Sequence, residues 1–83
     1  MPTRPFDPAW VAAAACRQDP GLPGETAALL ASQAWAHLLD IGRLDAPELS
    51  RRLLAGTDGV GATETNVVAI AAVAFCESSD LRP

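Results

Sequence analysis

Proline and glycine divide this chain into four short segments, and that division restricts it to a fold built from short helices. The densest break is "DPGLPG" at residues 19–24, where two prolines and two glycines in six positions favour turns. Gly42 and the loop "GTDGVGAT" at 56–63 supply the other breaks. A chain of 83 residues has room for one core, so we expect a single domain spanning residues 1–83.

Capping residues and the spacing of apolar residues predict one helix in each segment. Asp7 before Pro8, and Asp45 shortly before Pro47, are typical helix starts. The aspartate caps free backbone N–H groups, and proline is tolerated in the first turn because its missing N–H has no partner there. The predicted helices cover residues 8–17, 25–41, 46–55 and 64–78.

The last segment contains valines and an isoleucine, but its four alanines favour a helix over a strand, with Thr63 or Thr65 as the cap. This helix is apolar nearly all round, which is typical of a helix buried among others. The sequence therefore predicts an all-α fold, a compact four-helix domain with the apolar C-terminal helix at its centre.

Alanine dominates the apolar residues: seventeen alanines stand against ten leucines, five valines, two isoleucines and four aromatic residues. Small side chains bury little area each, so the large ones contribute most of the packing energy. The expected anchors are Phe6, Trp10, Trp35 and Phe75. Because so light a core leaves apolar surface to be covered, we expect a protein partner, with the chain itself forming a homodimer, and Trp10 and Trp35 as interaction residues.

Charge and hydropathy argue against two classes of partner, although a local basic patch for nucleic acid remains open. Ten acidic residues and six arginines give a net charge of −4, which disfavours a surface that binds nucleic acid over a whole face. The longest apolar run, at 67–76, is about half the length of a membrane span, so no membrane contact is expected. Lysine-free, alanine-rich usage is typical of high-GC bacterial or phage genes, and a regulatory system of such an organism is the expected setting.

The first ten residues lack the apolar stretch of a secretion signal, and only two cysteines, Cys16 and Cys76, are present. We therefore expect a cytoplasmic protein with reduced thiols that act as small buried apolar groups on the first and last helices.

Residues 34–55 suggest one specific alternative. Helix, glycine turn and helix follow one another there, and the positions that resemble the turn and recognition helix of repressor-type helix-turn-helix domains are Gly42, Leu44, Leu49, Ser50, Arg51 and Leu53. This resemblance implies DNA contact through Arg43, Arg51 and Arg52. The sequence departs from the repressor pattern in that Asp45 stands one residue late after the glycine and Ala46, Pro47 and Glu48 occupy the first turn. Acidic side chains at these positions would repel the phosphates of DNA, and apolar side chains would not attract them.

Catalytic, metal and phosphate sites have little support. His37 is the only histidine and can share a helix face with Asp40, but no nucleophile stands in a recognisable motif. A metal would have to gather Cys16, Cys76 and His37 from separate segments. The glycines of "DGVGATET" at 58–65 precede a helix start, yet the lysine and spacing of a phosphate loop are missing. We expect no enzyme, no cofactor and no metal.

The sequence thus predicts a small acidic protein–protein interaction module or adaptor that is regulatory and self-associating. The alternative is a helix-turn-helix transcriptional regulator that binds DNA through residues 34–55. The candidate interaction residues for the two readings together are Trp10, Trp35, Arg43, Arg51 and Arg52.

Overall fold

The computed structural model describes residues 5–78, and the four predicted helices are all present in it. They are α1 (Pro8–Gln18), α2 (Gly24–Ile41), α3 (Ala46–Gly56) and α4 (Ala62–Ser78). Within the described range there is no strand, so the predicted all-α four-helix fold is confirmed. The helix ends agree with the sequence-based bounds to within one or two residues.

Aspartate caps start α1 and α3 as the sequence predicts. Asp7 Oδ1 accepts a hydrogen bond of 3.0 Å from the backbone N–H of Ala9, and Asp45 Oδ1 accepts one of 3.1 Å from that of Glu48. In both helices a proline occupies one of the first two positions. The caps satisfy N–H groups that have no partner inside the helix, which fixes where each helix begins.

The start of α4 differs from the prediction. The helix begins at Ala62, so neither Thr63 nor Thr65 is its cap. Thr65 lies inside the first turns with only 1% of its surface exposed, and its Oγ1 donates a hydrogen bond of 3.0 Å to the carbonyl oxygen of Gly61. Because its hydroxyl donates to a backbone carbonyl four residues earlier, this buried threonine has a hydrogen-bond partner inside the helix and does not act as an N-cap.

Packing places α4 against the other three helices, as expected for a central helix. Helix α2 also contacts the other three, whereas α1 and α3 make no contact with each other across the described residues. The core therefore lies between α2 and α4, with α1 on one side of this pair and α3 on the other. Over residues 5–78 no helix has the length and apolar character needed to cross a bilayer.

The four aromatic residues form one cluster. Phe6 stacks on Trp35 with ring centroids 5.0 Å apart, and both Phe6 and Trp10 place ring edges against Phe75 at 5.3 and 5.1 Å. Phe75 is fully buried, while the other three are half-buried against the core. These contacts join α1, α2 and α4, so the residues expected as anchors do pack together.

Candidate functional site

The five residues proposed from the sequence lie in two separate regions. Trp10 and Trp35 belong to the aromatic cluster, and Trp10 also lines an open groove between α1 and α4. The three arginines lie at the α2–α3 corner, which we define as residues 40–52. There Gly42 ends α2 with a φ of 77°, a left-handed conformation that favours glycine, and α3 begins four residues later.

Arg51 and Arg52 at this corner both pair with carboxylates of the same chain. Arg52 Nη1 donates a hydrogen bond to Asp40 Oδ2, which joins α3 to α2. Glu48 Oε2 pairs with Arg51 and lies 3.9 Å from Arg52 Nε. At 3.9 Å there is no hydrogen bond, so the last contact is an attraction between charges. The fold itself thus neutralises two of the arginines that the repressor resemblance would direct to DNA.

Arg43 and Ser50 are engaged as well. Arg43 Nε donates a hydrogen bond of 3.1 Å to Asp45 Oδ2. Ser50 Oγ donates one of 3.1 Å to Asn66 Oδ1 of α4, so this side chain points towards a neighbouring helix. Residues that suggest a recognition helix therefore contribute to packing α3 against the rest of the domain.

The catalytic and phosphate sites considered from the sequence have competing contacts. Asp40, the candidate partner of His37, binds Arg52. In the glycine loop, the Glu64 carboxylate folds back so far that a Cβ on Gly61 would overlap its Oε2. A carboxylate thus occupies the N-terminal end of α4, where a phosphate would have to bind. Among residues 5–78, no group of three or more histidine, cysteine, aspartate or glutamate side chains could hold a metal ion.

Both thiols are free, as expected for residues that act as small apolar groups. Cys76 is fully buried, and Cys16 is half-buried with its Sγ 3.8 Å from the carbonyl oxygen of Leu22, to which it donates. Burial raises the pKa of the Cys76 thiol, and the neighbouring Glu77 carboxylate raises this pKa further. Cys76 is therefore a poor nucleophile at neutral pH.

The groove between α1 and α4 has a volume of about 420 Å³ and a mainly apolar lining. We call it the α1–α4 groove. Its lining includes Trp10, Ala14 and Arg17 of α1 and Val67, Ile70 and Ala74 of α4. Ile70 is 52% exposed, although α4 packs against all three other helices. Ile70 lies here beside half-buried Trp10 and Val67, so the groove presents a continuous apolar surface. Other large apolar side chains are exposed to a similar degree elsewhere on the domain, namely Leu29, Leu39, Leu44 and Leu54.

The groove carries opposite charges at its two ends. Helix α1 starts beside Phe75 and its last turn lines the groove together with Val67, so α1 and α4 run in broadly opposite directions along it. Arg17 thus lies at the Val67 end. Glu77 is exposed one turn beyond Ala74, on the face of α4 that also carries Ile70, since residues seven apart share a face.

Neither of these charges is used by the described part of the fold. Of the four arginines within residues 5–78, Arg17 is the one that forms no ion pair there, and Glu77 forms none either. Glu77 also stands in the last turn of α4, where the helix dipole disfavours a negative charge.

Sequence reasoning missed Arg17, Ile70 and Glu77 because α4 reads as apolar all round. A signal was present: Thr63, Asn66 and Glu77 are polar, and their spacing places them on one helix face with Ile70 between them. A polar edge of this kind indicates that the face is open to solvent. Ile70, which lies on this face, is then expected to be exposed and not part of the core.

Comparison of the chain with protein-family models, curated proteins and solved structures finds no match.

Proposed function

We propose that this chain is a protein–protein association module that binds a second copy of itself. The observation that supports it is the α1–α4 groove, where Ile70 stands half-exposed among Trp10, Val67 and alanines. Covering such a patch removes apolar surface from water, and a small domain gains needed stability by doing so. A regulatory role in the cytoplasm is part of the same proposal and is supported by size and composition.

Charge favours association over DNA binding through residues 34–55. Arg43, Arg51 and Arg52 would each have to leave an intramolecular carboxylate to meet phosphate. The net charge of −4 would add repulsion between the chain and a duplex. An adaptor that binds protein needs neither to break these ion pairs nor to approach a negatively charged duplex.

Sedimentation equilibrium over a concentration series tests the proposal directly. We expect the mass to rise from monomer to dimer below about 100 μM, the range of a weak but specific complex. A monomeric mass throughout would overturn self-association.

Titration of a labelled mixed-sequence duplex at low salt tests the alternative. We expect no binding by the wild-type chain. Micromolar binding that weakens steeply with salt and disappears in an Arg51→Gln, Arg52→Gln double variant would replace the proposal with DNA recognition, because each phosphate contact releases counterions.

A further inference from the structure

We infer that the second copy packs across the α1–α4 groove with its α4 antiparallel to the first α4, so that Arg17 of each copy meets Glu77 of the other. This inference rests on the proposed self-association and specifies the surface that mediates it. It follows from three features of the groove: an apolar centre, small residues beside it, and opposite charges at its ends that form no ion pair within residues 5–78.

Symmetry decides how the charges meet. In a twofold dimer each patch contacts the same patch of the other copy, so an antiparallel arrangement brings one end of the groove against the opposite end of its mate. Arg17 lies at the Val67 end, and Glu77 lies beyond Ala74 at the other end. An antiparallel copy therefore forms the Arg17–Glu77 pair twice, whereas a parallel copy would place like charges together.

Residue spacing along α4 fits an axis close to Ile70. With that residue at the axis, Val67 of one copy faces Ala74 of the second, three to four positions on either side. Glu77 then lies opposite Thr63, one turn before Val67 and towards the end of the groove that Arg17 lines, although Thr63 itself lines the surface between α3 and α4. Alanine at position 74 leaves room for the opposing valine, and the exposed isoleucines cover each other at the centre.

Charge also argues for a second copy over an unrelated partner. Glu77 is unfavourable at the end of α4 in the single chain, and an arginine placed beside it offsets the unfavourable interaction of this carboxylate with the helix dipole. A partner with only an acidic face would satisfy Arg17 and leave Glu77 facing like charge. A second copy provides a negative charge for Arg17 and a positive charge for Glu77.

Charge reversal with mixing provides the decisive experiment. Arg17→Glu and Glu77→Arg each convert two attractive contacts per dimer into repulsive ones, so each variant alone should dimerise about tenfold or more weakly at low salt. An equimolar mixture should recover dimers, because the mixed dimer has one native pair and one reversed pair. Sedimentation equilibrium with one variant fluorescently labelled measures both. If the mixture stays as weak as the single variants, the inferred pairing is wrong.

A second pair of variants separates this inference from the proposal it rests on. Ile70→Glu places a charge at the axis and should abolish dimers, whereas Leu39→Glu, at a site that is 62% exposed at the end of α2, should leave them intact. Circular dichroism should show native helix content for both, since neither side chain is buried. If Ile70→Glu still dimerises, self-association stands and the α1–α4 surface is rejected. If the wild-type chain is monomeric, both statements fall.

Discussion

The α2–α3 corner and the α1–α4 groove are each formed by two helices, but they differ in whether their charged side chains form ion pairs within the chain. At the corner, Arg43, Arg51 and Arg52 each meet a carboxylate of the same chain. Along the groove, Arg17 and Glu77 form no ion pair within the described residues. The region that resembles a binding motif in sequence has its charges paired within the fold, whereas the helix that resembles a core element in sequence has an unpaired charge and an exposed isoleucine within the described residues.

The largest effect that we expect is the loss of stability when an aromatic residue beneath the groove is replaced. Phe75 is fully buried and contacts both Phe6 and Trp10, so Phe75→Ala should lower the free energy of unfolding by about 3–5 kcal/mol. Such a loss is a large part of the total stability of a small domain, about 5–15 kcal/mol. Urea denaturation measures it. Trp35→Ala is the matched variant: Trp35 is half-buried and should cost less, and a larger loss for Trp35 would contradict the central place given to Phe75.

The helices and their anchors could be predicted because their signals are local. An aspartate cap, a proline in the first turn and Gly42 after α2 act on their own neighbours in sequence, so their effect does not depend on the tertiary fold. The aromatic anchors follow from size, since each of these four side chains can bury more area than any of the leucines or the many alanines.

The candidate site could not be predicted in the same way. Asp40 and Arg52 lie twelve residues apart and meet only because α3 folds back on α2. Arg17 comes to lie beside Val67 only because α1 packs along α4. Which charges are paired, and which face of α4 is exposed, are therefore properties of the packed domain. For α4, the polar residues Thr63, Asn66 and Glu77 were a sequence signal for the exposed face that the reasoning did not use.

Arg52 gives a smaller test of the claim that the corner arginines are structural. Arg52→Ala should reduce the free energy of unfolding by about 0.5–1 kcal/mol, because it breaks the link from α3 to Asp40 of α2 in a partly exposed setting. Arg43→Ala is the control, since Arg43 is 68% exposed and pairs only with nearby Asp45, and it should change stability little. The difference should shrink at high salt. Equal effects for both arginines would show that the α2–α3 link contributes no stability of its own.

Cys76 supplies a pH-dependent test at the C-terminal end of α4. Burial first, and then Glu77, raise the pKa of this thiol in the folded chain above its unfolded value. The unfolded chain therefore releases the thiol proton at lower pH than the folded chain does. The associated stability is fully present below the unfolded pKa of about 8.5 and is lost as the pH rises through the folded pKa, with a slope of at most about 1.4 kcal/mol per pH unit.

The composition makes this alkaline loss simple to assign, because the chain contains neither lysine nor tyrosine. Urea denaturation at a series of pH values from about 8 to 10 should show stability falling with pH in the wild-type chain, since burial and Glu77 raise the pKa of the Cys76 thiol in the folded chain. Cys76→Ala should flatten most of the slope. Glu77→Gln should flatten it in part, because it removes the charge that opposes the thiolate and leaves the burial in place. An unchanged slope in Cys76→Ala would show that the buried end of α4 does not govern the alkaline limit of the fold.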